Sequence, residues 1–350
     1  MAQESAAPAD FSWVEGKSAV SLAAALGAAA LVGFGVSPGN TADLWYFVHA
    51  SEQLYSAGWA DTFSSPTLQV GPLQLALFGA VSALADFVGV STTRLLGAAV
   101  GALAASLFWL VARRLLAGRG GAWALLIAAL APVALGLTFE AYRHGHPAQF
   151  LVPLLWVLAG LEVRRGRAWL AGSLVGLSAG FELWGLLGIV VFAAAPRLTV
   201  ALRAAADAVL VVLLLFAPFA FAGEFAMFEY RWLVTPDTLL GHVVEAGADF
   251  TWQLRALQGT TALAAGAAVV WALRRSTAAL WAGPLTAVAV RLALDPVRYP
   301  WYWLALETLA LVGAVQLAGA TDLVARAARR FAERRSRAPR PALRSARRTS

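Results

Sequence analysis

Three short stretches hold most of the side chains that could do chemistry in an otherwise apolar chain. In "TADLWYFVHASEQLY", residues 41–55, Asp43 stands at the head of an amphipathic helix. A carboxylate there either caps free backbone N–H groups or serves as a general base that takes a proton from a hydroxyl, and the spacing allows both. In "FEAYRHGHP", residues 139–147, Glu140, Arg143, His144 and His146 are concentrated within seven positions. Arginine offers a planar fork of donors that matches a phosphate, and histidine adds further donors; an ordinary polar loop fits the same residues. His144 and His146 lack an identifiable third ligand, so the pair does not make a metal centre. In "RLALDPVRYPWYW", residues 291–303, Arg291 and Asp295 are four apart and can pair on one helical face. Arg298, Tyr299 and Tyr302 follow at the outer interface, with Trp301 and Trp303 as interfacial anchors. Glu182, Asp86, Asp207 and Glu307 lie within or beside apolar runs, where carboxylates are costly and mark functional groups or buried partners. Glu182 falls at the turn of a hairpin of two short helices, which would open on the same face as Asp43.

The elements that must position these residues are membrane helices. The chain is 60% hydrophobic and 13% charged, with mean hydropathy +0.68, against about 25% charged residues in soluble domains. Its apolar runs match the ~20 residues an α-helix needs to cross the hydrocarbon core. The alternation of a transmembrane β-barrel is absent. Without cysteine, disulfides, thiolate metal sites and cysteine nucleophiles are excluded. Runs at 18–36, 71–88, 95–116, 122–139, 148–161, 168–181, 183–195, 204–222, 260–273, 278–294 and 301–320 predict an all-α polytopic protein with about 10–11 transmembrane helices. Leu44, Phe47, Val48, Ser51, Leu54 and Tyr55 share one face of a further helix lying in the interface, with His49, Glu52 and Gln53 turned away. The resulting division is a polar cytoplasmic segment 1–17, a transmembrane domain 18–320 and a basic cytoplasmic tail 321–350.

Arginine placement sets the orientation, because short basic loops stay cytoplasmic. Arg113, Arg114 and Arg119 mark one such loop, Arg164, Arg165 and Arg167 a second, Arg197 and Arg203 a third, and Arg274 and Arg275 a fourth. Residues 37–66, 140–147, 223–259 and 295–300 then lie on the outer face. One conflict arises: two full crossings between Pro66 and Arg113 would put the first arginine cluster outside. The tail carries ten arginines against Asp322 and Glu333, a net +8 on a chain whose total is +7. Within it, Leu323, Val324, Ala327, Ala328 and Phe331 oppose Arg326, Arg329, Arg330 and Arg334, the pattern of a helix on an anionic leaflet. Membrane lipids account for this basicity without nucleic acid, and the chain beyond "RAPRP" reads as disordered.

Residues 18–200 resemble a known family. "ADLWYFVHASEQLYSAG" looks like its acidic first outer loop, and "SPTLQVGPLQLALFG" like the start of its second helix. The segment "RHGHPAQFLVPLLWVLAGLEVRRGRAWLAGSLVGLSAGFELWGLLGIVV" is similar to its sequence of polar turn, span, basic loop and small-residue hairpin. The family is that of integral membrane glycosyltransferases of GT-C type, in the bacterial branch that uses polyprenol-phosphate-mannose. The resemblance implies a multi-pass protein of the bacterial cytoplasmic membrane with its C-terminus inside. It would move mannose or another sugar from a polyprenyl-phosphate donor to an envelope glycolipid or glycan acceptor on the outer face, with inversion. Asp43 would then be the catalytic base, and Arg143, His144, His146, Arg298, Tyr299 and Glu182 would bind substrate and phosphate. No cofactor is implied with certainty; a divalent metal is compatible. Two departures point to an altered substrate or an inactive relative. Asp43 is flanked by Ala42 and Leu44 where relatives often have a second acid, and Glu182 replaces a basic residue at the hairpin. A lipid or solute transporter using Asp86, Glu182 and Asp207, and a non-catalytic scaffold, are the alternatives.

Overall fold

The computed structural model describes the backbone of residues 11–38, 42–116 and 121–337, and side chains within these except for 11–17, 42 and 321–337. It is all-helical among these residues, apart from one isolated bridge between Leu233 and Asp249. Five helical stretches are long and apolar enough to cross a membrane: Ser18–Gly35 within α1 (Phe11–Gly35), α4 (Thr92–Leu116), Ala122–Arg143 comprising α5 (Ala122–Ala134) and α6 (Leu137–Arg143), α9 (Leu198–Ala222), and Pro300–Ala320 at the start of α12 (Leu304–Arg337). Four apolar helices are shorter: α3 (Pro72–Val88), α8 (Ala168–Phe181), a 3₁₀ helix Leu183–Ala194 and α11 (Ala279–Ala293). The remaining α-helices among the described residues are α2 (Ala42–Leu54), α7 (Ala148–Arg164) and α10 (Trp252–Ala272).

Of the ten or eleven helices expected, five stretches have the length and hydropathy of a full span and the rest are shorter or less apolar. At 1.5 Å per residue, α8 with its 14 residues reaches about 21 Å, short of the ~30 Å hydrocarbon core. Helices enclosed by other helices need not match lipid. Residues 148–160 of α7 are buried without a break, by packing against α4, α8, the 3₁₀ helix, α11 and α12. Lipid-facing surface falls to the long helices instead: Leu198, Leu202, Leu210, Leu213 and Leu214 of α9 are all exposed.

Small residues bring the long helices together. A Cβ on Gly33 of α1 would lie 2.1 Å from Gly97 O of α4, and one on Gly101 2.5 Å from Ala29 O; such close backbone approach is the usual mode of helix association in lipid. With Trp109 Nε1 donating to Ser21 Oγ (3.2 Å), the pairing of 33 with 97, 29 with 101 and 21 with 109 makes α1 and α4 antiparallel. Arg113 and Arg114 therefore lie at the same end as the start of the first span, which resolves the conflict between Pro66 and Arg113. The run 71–88 does not cross. Helix α3 starts against the end of α8, where Gly71 N–H donates to Phe181 O (2.7 Å), and returns to the start of α4 at the same end of the bundle.

The arginine clusters collect at the other end. Glu162 receives Arg114, Arg165 and Arg167, and Arg164 donates to Ser276 O (2.9 Å), beside Arg274 and Arg275. Gly319 of α12 packs on Leu116 at this basic end. The expected amphipathic segment 322–335 continues the backbone of α12, with its side chains outside the described residues, as are Arg119 and residues 338–350. Exposed Trp123, Trp169 and Trp271 ring the basic end, and exposed Trp45, Trp59, Trp252 and Trp303 the opposite one. Trp252 and Trp271 stand about 28 Å apart along α10 by helical rise, the separation of two aromatic belts across a hydrocarbon core.

Candidate functional site

The end opposite the arginines is organised by a helix-capping turn. Helix α6 ends in a Schellman motif: His146 N–H donates to Ala141 O and Gly145 N–H to Tyr142 O, both at 2.9 Å, with Gly145 in the left-handed region at φ +77°. Pro147 then stops the helix, and α7 begins. The turn brings Gly145 against the start of α2, where an added Cβ would lie 2.8 Å from Leu44 N and Leu44 Cα. Gln74 of α3 ties the same turn down by donating to Gly145 O (2.7 Å). Helix α2 packs with Leu44, Phe47, Val48 and Ser51 buried, four of the six residues expected on that face; Leu54 is half-buried and Tyr55, past the helix end, is exposed. Its first turn presents Asp43.

His146 consequently lies between two carboxylates. Its Nδ1 is 2.9 Å from Glu182 Oε1 and its Nε2 3.4 Å from Asp43 Oδ2. Glu182 is the residue at which α8 gives way to the 3₁₀ helix, with extended backbone at φ −151° and ψ 138°. Its other oxygen accepts from Gln149 Nε2 (3.0 Å) and Trp184 Nε1 (2.5 Å). The His146 side chain is 12% exposed and that of Glu182 9%, whereas Asp43 is 47% exposed. Asp43 is thus the member of the row open to an incoming molecule. The other two stand behind it.

Burial disfavours the imidazolium of His146, but the hydrogen bonds and charges of Asp43 and Glu182 outweigh it and raise the pKa from 6.5 to about 9. At neutral pH His146 is therefore an imidazolium between the two acidic side chains. A folded-state pKa above the unfolded value contributes stability that is full below about 6.5 and is lost as pH rises through about 9. The melting temperature of the wild type should therefore fall between pH 7 and 10, and His146→Gln should flatten that fall. Parallel profiles by calorimetry would disprove this coupling.

An aromatic floor supports the row. Trp301 stacks on His146 (centroids 5.4 Å, 11°), on His144 (4.6 Å, 26°) and on Tyr299 (4.6 Å, 11°). Trp232 meets Tyr299 edge-on. Beside Trp184, Arg291 lies 5.2 Å from that ring and 5.2 Å from the ring of Tyr302, with Asp295 3.7 Å away. The spacing of Arg291 and Asp295 does place them together, and burial raises the pKa of Asp295 against the opposing charge of Arg291. Buried polar atoms without a hydrogen-bond partner among the described residues are Gln74 Oε1, Ser82 Oγ, Thr138 Oγ1, Gln149 Oε1, Arg291 Nη1 and Trp301 Nε1. Four of these six belong to the residues just described. Two are acceptors and two are donors, all closed off from solvent within the packing around the aromatic floor.

The other sequence-derived candidates are placed less centrally. His144 bonds Glu140 Oε1 (3.0 Å) while stacking on Trp301, so it borders the site. Arg143 pairs with Glu140 at 3.7 Å, half-exposed. Arg298 is exposed and acts on Asp237, while its neighbour Tyr299 reaches the floor. Asp86, Glu182 and Asp207 do not form a common path: Asp86 is exposed on α3, and Asp207 packs beside Gly172, ten residues or about 15 Å along α8 from Glu182. Gln74 and Gln149 join the candidates at this end, their sequence signal being an amide inside an apolar run, and Trp301 stacks under the row and is not a purely interfacial anchor. Among the described residues no group of three His, Asp or Glu side chains is arranged to hold a metal ion; His146 spends both ring nitrogens on carboxylates. Comparison of the chain with protein-family models, curated proteins and solved structures found no match.

Proposed function

We propose that the chain is an integral membrane glycosyltransferase of GT-C type, which moves a sugar from a polyprenyl-phosphate donor to an envelope glycolipid or glycan on the outer side of a bacterial cytoplasmic membrane. The observation that carries this reading is the convergence of Asp43, His146 and Glu182 on an aromatic floor, at the end of the bundle opposite the arginine clusters. With basic loops on the cytoplasmic side, that end faces outward, and the C-terminus lies inside.

In this reading the acceptor hydroxyl gives its proton to the exposed Asp43 carboxylate as its oxygen forms a bond to the anomeric carbon. The bond from that carbon to the donor phosphate oxygen breaks on the opposite face, with inversion, and the lipid phosphate leaves with the bonding pair. His146 holds Asp43 by a charge-assisted hydrogen bond and is itself oriented by Glu182. In this reading Glu182, at the hairpin turn where the GT-C family often has a basic residue, serves to orient His146. The developing phosphate charge needs a cation. Arg291, over Trp184 and paired with Asp295, stands behind the row, while Arg143 and Arg298 are the more exposed cations at this end and the ones a phosphate could reach. A hexose ring would lie on Trp301 or Tyr299.

The test is transfer of labelled sugar by the purified protein from a panel of polyprenyl-phosphate sugars to envelope lipids, with the anomeric configuration of the product read by NMR. Inverted product and free polyprenyl phosphate are expected. Absence of transfer from donors that the protein binds would overturn the proposal.

A further inference from the structure

A second constellation lies at the basic end and plays no part in the chemistry above. Helix α7 ends, like α6, in a Schellman motif: Arg167 N–H donates to Glu162 O (3.0 Å), and Gly166 N–H to Val163 O (2.9 Å), with Gly166 at φ +77°. The turn folds Arg165 and Arg167 back over the last turn of their own helix. Arg165 Nη1 lies 2.9 Å from Glu162 Oε1, and Arg167 Nη1 3.1 Å from Oε2. From the last turn of α4, Arg114 Nη1 reaches Oε1 at 2.9 Å.

Neutralising Glu162 would take one arginine; three converge on it. The carboxylate is nearly buried, with its side chain 6% exposed, while the guanidinium side chains are 39%, 42% and 58% exposed. Each engages Glu162 through one Nη1, out of the five N–H donors a guanidinium offers. The group carries +3 against −1, and its cations are held close together by their shared partner. Such an arrangement repels itself until a second anion arrives. A phosphate diester has the charge and the geometry that guanidinium forks pair with best.

The surroundings decide which phosphate. Trp169, two residues beyond Arg167, is exposed, as is Trp123 near the start of α5, and Arg113 lies over Trp109 (5.1 Å). Exposed tryptophans around a bundle end mark headgroup depth, where the phosphates are those of lipids.

We propose that Arg114, Arg165 and Arg167, preorganised by Glu162, form a discrete site for the phosphate of an anionic phospholipid in the leaflet at the basic end. The site is independent of sugar transfer. It differs from diffuse attraction to a negative surface in being saturable and in depending on named residues.

Native mass spectrometry of the full chain in detergent, titrated with phosphatidylglycerol or phosphatidylcholine, tests it. The wild type should retain phosphatidylglycerol in preference and to saturation. Arg165→Ala with Arg167→Ala keeps the Arg114–Glu162 pair and should weaken retention roughly thirtyfold, taking each basic residue as about fivefold. Arg231→Ala, an exposed arginine at the opposite end, should change nothing. Glu162→Gln keeps all three guanidinium groups but removes the partner that holds them, and should weaken retention less than the double variant, whose melting temperature is measured beside the wild type's to separate lost binding from misfolding. Equal retention of both lipids by the wild type, or loss equal in Arg231→Ala, would overturn the site. Displacement of phosphatidylglycerol by millimolar inorganic phosphate would overturn the lipid assignment in favour of a free anion.

Discussion

Asp43→Asn should lower the turnover of sugar transfer by about 10²–10⁴-fold, the usual contribution of a positioned general base, with donor binding retained and a modest drop in melting temperature, because Asp43 is one of two acids that stabilise the His146 imidazolium. The substitution is chosen because it separates the two readings of this carboxylate. Asparagine caps a helix about as well as aspartate, so a capping role survives the exchange. Its amide oxygen can still accept from His146 Nε2, now 3.4 Å from Asp43 Oδ2, so the row keeps its geometry. What disappears is the ability to take a proton from the acceptor. Asp43→Ala would lose both roles and could not distinguish them. The structure already weighs against a pure cap: Asp43 stands inside the first turn of α2, after Ala42, and its carboxylate reaches across to the α6–α7 turn. Initial rates at saturating donor and acceptor are the readout, beside a binding measurement for the donor. Full activity in Asp43→Asn would return the residue to the role of a helix-end charge and remove the base from the proposed mechanism.

The helical class, the buried face of α2, the arginine loops and the hairpin at Glu182 were legible in the sequence because each follows from local periodicity or from single costly residues in apolar runs. Leu44, Phe47, Val48 and Ser51 repeat at helical spacing and are buried together. Arg113, Arg164 and Arg274 recur where spans end, and the contacts through Glu162 and Ser276 gather their neighbourhoods at one end. What escaped was whatever depends on two segments distant in sequence. Nothing in "RHGHP" says that His146, not His144, faces Asp43, which is 103 positions away. That choice is made by Gly145 and by the packing of α2 on the turn. Whether the run 71–88 crosses was equally out of reach. It depends on α1 and α4 being antiparallel, which rests on glycines that look ordinary in a chain with 31 of them. Hydropathy registers apolar runs without asking whether lipid or protein covers them, so it did not separate the five full-length stretches from the shorter, enclosed helices.

Gly145→Ala should cost about 10²-fold in turnover while the protein still folds, and Gly166→Ala should cost almost nothing in activity. The two glycines carry the same backbone conformation, φ +77°, at the same position of the same capping motif. Alanine at either site suffers about 1–2 kcal/mol of left-handed strain. They differ in what a Cβ would meet. At Gly166 nothing lies within 4 Å, whereas at Gly145 the Cβ would press on Leu44 N and Leu44 Cα at 2.8 Å and on Asp43 C at 3.2 Å. These are backbone atoms and cannot swing aside like the end of a side chain, so the first turn of α2 must retreat. Asp43 retreats with it, from a contact with His146 that is already near the limit of a hydrogen bond. Displacement by about 1 Å of a catalytic group is enough for a loss of this size, and the loss of Asp43 should also bring the raised pKa of His146 down. Melting temperatures of the two variants should thus be lowered alike by strain, with a further decrement in Gly145→Ala, while only Gly145→Ala loses turnover and shows a shallower fall in stability above pH 7, since Glu182 still raises the pKa of His146. If both variants turned over like the wild type, the register between Asp43 and His146 would not matter for function, and the row of three would be a structural contact.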